Sequence, residues 1–258
     1  MQILAIANQK GGTGKTATTH ALGVCLAEGG RRVLLVDADP QASLTLACGL
    51  EGAAGHSLAE VLGGAQPGTL ELRTILQELA TGLWLAPSDI ALAQSELGLI
   101  SRMGRENALK RVLATAQGFD VCLIDCPPSL GLLTVNALTA AQAVLVPTGA
   151  GIQDLRGLRL FLSTLEQVRE ALNPDLQTLG IVVTFYDGRL THHREALAVL
   201  QGSGLPLLPV TIGRSVRVQE AAAGGQSVVS YAPENPQAAA YRELAKVVDA
   251  WLQRSAQR

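Results

Sequence analysis

Short apolar runs alternate with helical patterns along the whole chain. Residues 3–7 form the first run. A polar, glycine-rich turn follows at 10–14, then a helical pattern over 16–28 that Gly29 and Gly30 stop. Residues 33–36 form a second run, rich in valine and leucine and unbroken by polar residues, the pattern of a strand covered on both faces. Similar runs recur at 83–86, 121–124, 143–146, 179–185 and 207–212, and helical patterns at 106–117, 155–172, 191–200 and 237–253 lie between or after them. This alternation predicts an α/β fold, a mostly parallel sheet with helices on both faces. Residues 51–68, rich in glycine, read as a loop insertion. With no internal repeat and no low-complexity linker, one domain over 1–258 is expected.

Composition narrows the class. At 258 residues, 48% hydrophobic and with a formal charge of −2, the chain is too apolar and too weakly charged to be disordered. No apolar run approaches the ~18 residues of a membrane span, and the N-terminus lacks a secretory pattern. Four cysteines are too few for a disulfide scaffold, so a cytoplasmic protein is expected. The near-neutral charge excludes a uniformly basic nucleic-acid binder and leaves room for a local basic patch. Only four of the 20 basic residues are lysines, and two of these, Lys10 and Lys15, fall in one seven-residue motif.

That motif, Lys10-Gly11-Gly12-Thr13-Gly14-Lys15-Thr16, follows a strand and opens a helix. Glycines let successive backbone N–H groups point into one concavity, and a helix N-terminus adds positive potential, so phosphate is the expected ligand. Lys15 is placed to reach the β- and γ-phosphates and Thr16 to ligate Mg²⁺. The usual phosphate loop opens on glycine where this chain has Gln9, and a second lysine, Lys10, stands ahead of the glycine pair. Two further strands end in acids, one in Asp37-Ala38-Asp39 and one in Asp125. Ligands of open parallel sheets sit at the carboxyl ends of strands. Asp37 and Asp125 are therefore candidates for the Mg²⁺ shell, and Asp39 for positioning an attacking water.

Residues 5–41, containing KGGTGKT and VLLVDADPQ, resemble the ParA/Soj partition ATPases, deviant-Walker P-loop proteins. So do 119–138, FDVCLIDCPPSLGLLTVNAL, and 213–233 in divergent form. The similarity is to the short type without an extra DNA-reading domain. It implies a Mg·ATP-dependent ATPase that forms an ATP-sandwich homodimer, in which Lys10 crosses to the partner's nucleotide, Lys15 acts in cis and Asp39 sets up hydrolysis. It implies nucleotide contacts from Lys10, Gly11, Gly12, Thr13, Gly14, Lys15, Thr16, Ala17, Gly213 and Ser215. It also implies DNA binding without sequence preference, a nucleoid location, and a ParB-like centromere-binding partner that stimulates turnover. Ala17 replaces a family hydroxyl, which predicts reduced nucleotide affinity. Gly213 and Ser215 replace a proline and an asparagine, and the Gln-x-Glu-x-Tyr/Phe run after the strand at 143–147 reads Thr148-Gly149-Ala150-Gly151-Ile152-Gln153.

Other residues divide between chemistry and packing. Cys122 and Cys126 read as buried structural thiols, and His192-His193 as an exposed helix start. Arg189, Arg214 and Arg217 read as scattered surface charge or, with the resemblance, as DNA contacts to phosphate, since few aromatics are present to stack on bases. Leu244, Val248, Trp251 and Leu252 form an apolar stripe on the last helix. The rival function, a MinD-like membrane-recruited positioning ATPase, would use such a helix on membrane. Without a strong basic face here, packing onto the domain is expected, and no stable membrane association.

Overall fold

A computed structural model describes residues 1–51, 56–63 and 70–255. The strands are β1 (Gln2–Ile6), β2 (Val33–Asp37), β3 (Gln77–Ala80), β4 (Leu83–Ala86), β5 (Val121–Asp125), β6 (Ala143–Thr148), β7 (Gln177–Tyr186) and β8 (Leu207–Gly213). The helices are α1 (Lys15–Glu28), α2 (Ser43–Ala47), α3 (Leu58–Gly63), α4 (Ala91–Leu99), α5 (Ala108–Leu113), α6 (Leu132–Ala140), α7 (Ile152–Ala171), α8 (Thr191–Gln201), α9 (Val216–Ala223), α10 (Val228–Tyr231) and α11 (Pro236–Ser255).

The eight strands of the described residues join one sheet in the order β3-β4-β2-β5-β1-β6-β7-β8, parallel except for β3. The expected fold class is therefore observed. Alternate residues of each strand point to opposite faces, and both faces are covered. Leu34, Val36, Cys122, Ile124, Val144 and Val146 pack with residues of α3 to α8. Leu4, Ile6, Val33, Leu35, Leu123 and Leu145 pack with residues of α1, α2 and α9 to α11. Gly23 lets α1 press on the sheet, since a Cβ there would come within 2.7 Å of a Leu35 methyl. The apolar stripe of α11 is buried in this second layer, and no helix among the described residues is long and apolar enough to cross a membrane.

Three expectations change. The antiparallel edge strand β3 is an addition, its exposed Gln-Glu-Leu-Ala sequence lacking an apolar run. The helix expected over 106–117 is a 3₁₀ turn at Arg105–Asn107 followed by the shorter α5. The expected loop at 51–68 contains α3, whose start is closed by a capping box: Ser57 N–H donates to Glu60 Oε2 at 2.7 Å, and Ala59 N–H to Ser57 Oγ at 3.1 Å. The rest of that segment, 52–55 and 64–68, lies outside the described residues.

Parallel pairing sets the geometry of the functional edge. β5 runs between β1 and β2, with Ile6 opposite Asp125 and Asp37 opposite Asp125. The two acids thus end adjacent strands at the same height, directly beside the turn that follows β1.

Candidate nucleotide site

The turn from β1 to α1 is built to hold itself open. Gly12 and Gly14 have φ of 71° and 80°, a left-handed conformation that side chains resist. Asn8 bridges outward, its amide donating to Pro147 O at 2.7 Å and its Oδ1 accepting from Lys10 N–H at 3.0 Å. The Thr184 hydroxyl reaches Thr13 O at 2.9 Å and Thr148 O at 3.1 Å, tying the turn to β6 and β7. No side chain caps Gly14, and the first turn of α1 carries no acid. The helix end therefore keeps its positive potential for an anion.

A cavity of about 390 Å³ lies over this end. Gly11, Gly12, Thr13, Gly14, Lys15, Thr16, Ala17 and Asp39 all line it. Opposite them stand Phe185, Val218, Gln219, Ala222 and Gln226. Lys15 is buried, and its Nζ donates to Lys10 O at 3.1 Å. Burial lowers its pKa, against the opposing pull of Asp125 and Asp39.

The acids differ in their commitments. Asp37 is fully buried; its Oδ2 accepts from Thr45 N–H at 2.8 Å and Thr45 Oγ1 at 2.7 Å, and its Oδ1 from Asp39 N–H at 3.1 Å. Burial pushes it up to about 6, with the Thr45 hydrogen bonds opposing. Asp125 is pushed up to about 8, first by burial and then by the charge of Asp37, while the Thr16 hydroxyl and Lys15 pull it down. The Thr19 hydroxyl stands 3.3 Å from its Oδ1. Asp39 is partly exposed at the cavity wall, with Oδ1 accepting Gln41 N–H at 2.9 Å. Thr16 and Asp125 make a hard-oxygen donor pair of the kind Mg²⁺ takes, and a cation there would relieve two buried carboxylates. Asp37, with both oxygens engaged, braces Asp39 and α2.

Three predicted nucleotide contacts are not on the cavity wall: Lys10, which is paired elsewhere, Gly213 and Ser215. Gly213 N–H donates to Gln237 Oε1 at 2.7 Å, and Ser215 Oγ caps α9 by accepting Arg217 N–H at 3.2 Å. Val218 and Gln219, one turn further on, face the cavity instead. Gly213 supplies an N–H that proline lacks, and a Cβ there would meet Gln237 at 3.0 Å, so the departure at 213 goes with Gln237. Sequence reasoning also missed His20. It lies one turn beyond Thr16 on the same face of α1 and lines the cavity, with burial lowering its pKa to about 4. The i, i+4 spacing from Thr16 was the available signal.

Lys10 is partly exposed but paired. Its Nζ pairs with Asp154 Oδ1 at 2.6 Å. The arginines are also unequal: Arg189 is paired with Asp187 and Arg217 with Glu220, whereas Arg214 is exposed and no ion pair joins it to the described residues. The thiols of Cys25, Cys122 and Cys126 are buried, as expected for the latter two, and burial raises the pKa of all four. His192 is exposed at the start of α8, while His193 Nδ1 accepts Asp187 N–H at 3.0 Å.

Strand, glycine-rich turn, helix end, lysine and two strand-end acids together define a P-loop nucleotide-binding protein. Residues 1–178 match a family model described as an AAA domain. The chain is similar to the chromosome-partitioning ATPase Soj of Thermus thermophilus, 41% identical, covering 97% of this chain and 96% of that one. It is similar to the sporulation initiation inhibitor protein Soj of Bacillus subtilis, 39% identical over 96% of this chain and 98% of the relative. A solved structure from Mycobacterium smegmatis, described as cobyrinic acid a,c-diamide synthase with bound ADP and magnesium, superposes with a TM-score of 0.84 at 42% identity, covering 97% of this chain and 95% of that chain. The chain belongs to the ParA/Soj family of P-loop ATPases.

Proposed function

We propose that this ATPase uses Mg·ATP to drive DNA partition. The observation that carries the reading is a phosphate loop with two lysines, Lys15 lining the cavity and Lys10 paired with Asp154 at the start of α7. Lys15 and the N–H groups of residues 11–16 would hold the phosphates, and Thr16 and Asp125 would hold Mg²⁺, which when bound would supply charge neutralisation for phosphoryl transfer. Asp39 orients the attacking water. Two copies close face to face over their nucleotides, with Lys10 of each reaching the other's phosphates. The dimer binds DNA without sequence preference, on the nucleoid, and a ParB-like partner triggers hydrolysis and release.

Each protomer contributes few arginines, so doubling them on one rigid body makes DNA affinity depend on ATP. Arg214 is the leading contact; Arg189 and Arg217 must exchange carboxylate partners for phosphate. The burial of Leu244, Val248, Trp251 and Leu252 favours DNA over membrane as the surface bound.

The test is DNA binding with a non-hydrolysed ATP analogue, with ADP and without nucleotide. Binding is expected with the analogue alone. A salt slope near −5 is expected if three arginines per protomer each neutralise one phosphate, about six contacts in all. Arg214→Glu should remove two contacts and shallow the slope by roughly 2. Equal affinity in all three nucleotide states would overturn the reading, and binding to vesicles rather than DNA would replace it with the membrane one.

A further inference from the structure

The Lys10–Asp154 pair is more than a chance surface contact. Asp154 is the third residue of α7. Its Oδ2 accepts Gly151 N–H at 2.9 Å, closing the helix start, while its Oδ1 takes the Lys10 ammonium at 2.6 Å. The neighbouring backbone makes room for that carboxylate. A Cβ at Gly149 would lie 2.5 Å from Asp154 Oδ2, and one at Gly151 would lie 2.8 Å from it. These glycines belong to the Thr148–Gln153 run that departs from the family pattern. Lys10 is held from its other side as well, because its carbonyl accepts Lys15 Nζ at 3.1 Å and its N–H binds Asn8.

We propose that Asp154 is a positioning residue that latches Lys10 in cis and restrains ATP-driven dimerisation. The inference rests on the sandwich-dimer reading above. In the latched state, the ammonium that would cross to the partner's phosphates is spent on the protein's own α7. Closing the dimer requires two such pairs to open, and the anionic phosphates of the opposite nucleotide are the competing acceptor. A partly exposed pair biases each lysine about 3-fold towards its latch, so two per dimer shift the dimer dissociation constant about 10-fold.

The test uses the full chain and two variants. Asp154→Asn keeps an oxygen to accept Gly151 N–H and removes the charge that holds Lys10. Gly151→Ala keeps the charge and crowds the carboxylate out of place. Acylation of Lys10 by an amine-reactive ester, followed by peptide mass spectrometry, reads the latch in the ligand-free monomer. Sedimentation with a non-hydrolysed ATP analogue reads dimerisation. Both variants should label Lys10 about 3-fold faster than the unmodified chain, with labelling of Lys110 and Lys246 unchanged, and should dimerise at about 10-fold lower concentration. Faster labelling with unchanged or weaker dimerisation overturns the latch while leaving the dimer reading standing. Unchanged labelling overturns the latch directly. If neither the unmodified chain nor a variant dimerises while all bind nucleotide, the sandwich reading itself fails, whatever the labelling shows.

Discussion

Two glycine-rich turns open helices at the same edge of the sheet, and they end differently. The turn at Gly11–Gly14 leads into α1 with no capping side chain and no acid in the first turn. The turn at Gly149–Gly151 leads into α7, where Asp154 caps the helix and neutralises Lys10. Both helix ends offer the same backbone potential. The first leaves it facing a cavity, whereas the second supplies its own anion. Glycine makes either outcome possible, and the side chain three residues into the helix decides which one occurs.

That contrast can be broken most severely at the open end. Lys15→Ala removes a charge-assisted phosphate contact worth about 3 kcal/mol, so titration should show Mg·ATP binding weakened roughly 100-fold. Near-normal affinity would place the phosphates elsewhere.

The acids behind the open end provide a pH test. Asp37 and Asp125 have folded-state values, about 6 and about 8, above that of an unfolded carboxylate. The folded chain therefore holds these protons longer than the unfolded chain does. Their penalty is absent below about pH 4 and grows as pH rises through 6 for Asp37 and towards 8 for Asp125. The melting temperature of the ligand-free protein should fall between pH 5 and 8. Asp125→Asn should flatten that fall and raise the melting temperature at pH 8, by roughly 2–4 °C for each kcal/mol relieved. A variant that melts lower than the unmodified chain at pH 8 would count against a burdened carboxylate.

Smaller changes sharpen the comparison. Gly14→Ala forces a side chain to φ 80° and to within 3.5 Å of the Phe185 ring. A left-handed penalty of about 1–2 kcal/mol should weaken nucleotide binding by roughly tenfold. Gly213→Pro restores the residue common in the family but removes the N–H held by Gln237. A loss of about 1 kcal/mol should appear in denaturant unfolding, with nucleotide affinity unchanged because residue 213 is off the cavity wall.

The open end was legible in the sequence because local order carries it: an apolar run, glycines at left-handed positions, then Lys15 and Thr16. β2 and β5 were legible as unbroken apolar runs, and their terminal acids followed from sheet topology. The closed end was not, because Lys10 and Asp154 are 144 positions apart and only folding brings them together. β3 escaped for lack of an apolar run, and α6, apolar all round as Leu-Leu-Thr-Val-Asn-Ala-Leu-Thr-Ala, because it shows no single stripe. The capping box of α3 was written in Ser57-Leu58-Ala59-Glu60, though the surrounding glycines suggested a loop. The Asp187–Arg189 and Arg217–Glu220 pairs are local, and their spacing was visible beforehand.

One backbone contact joins the cavity's two side walls. Gly49, just past α2, and Gly225, just past α9, both have positive φ, and a Cβ at Gly225 would lie 2.6 Å from Gly49 Cα. In hereditary terms the two codons behave as one character. A side chain at 225 is unacceptable while residue 49 keeps its place, and it becomes tolerable only after α2 and α9 have already drifted apart. Single-step variation at either position is therefore trapped. Because the obstacle is the backbone of residue 49, no second substitution there relieves it; a change at 225 has to come with a backbone shift, as a longer segment after α2 or α9 would supply.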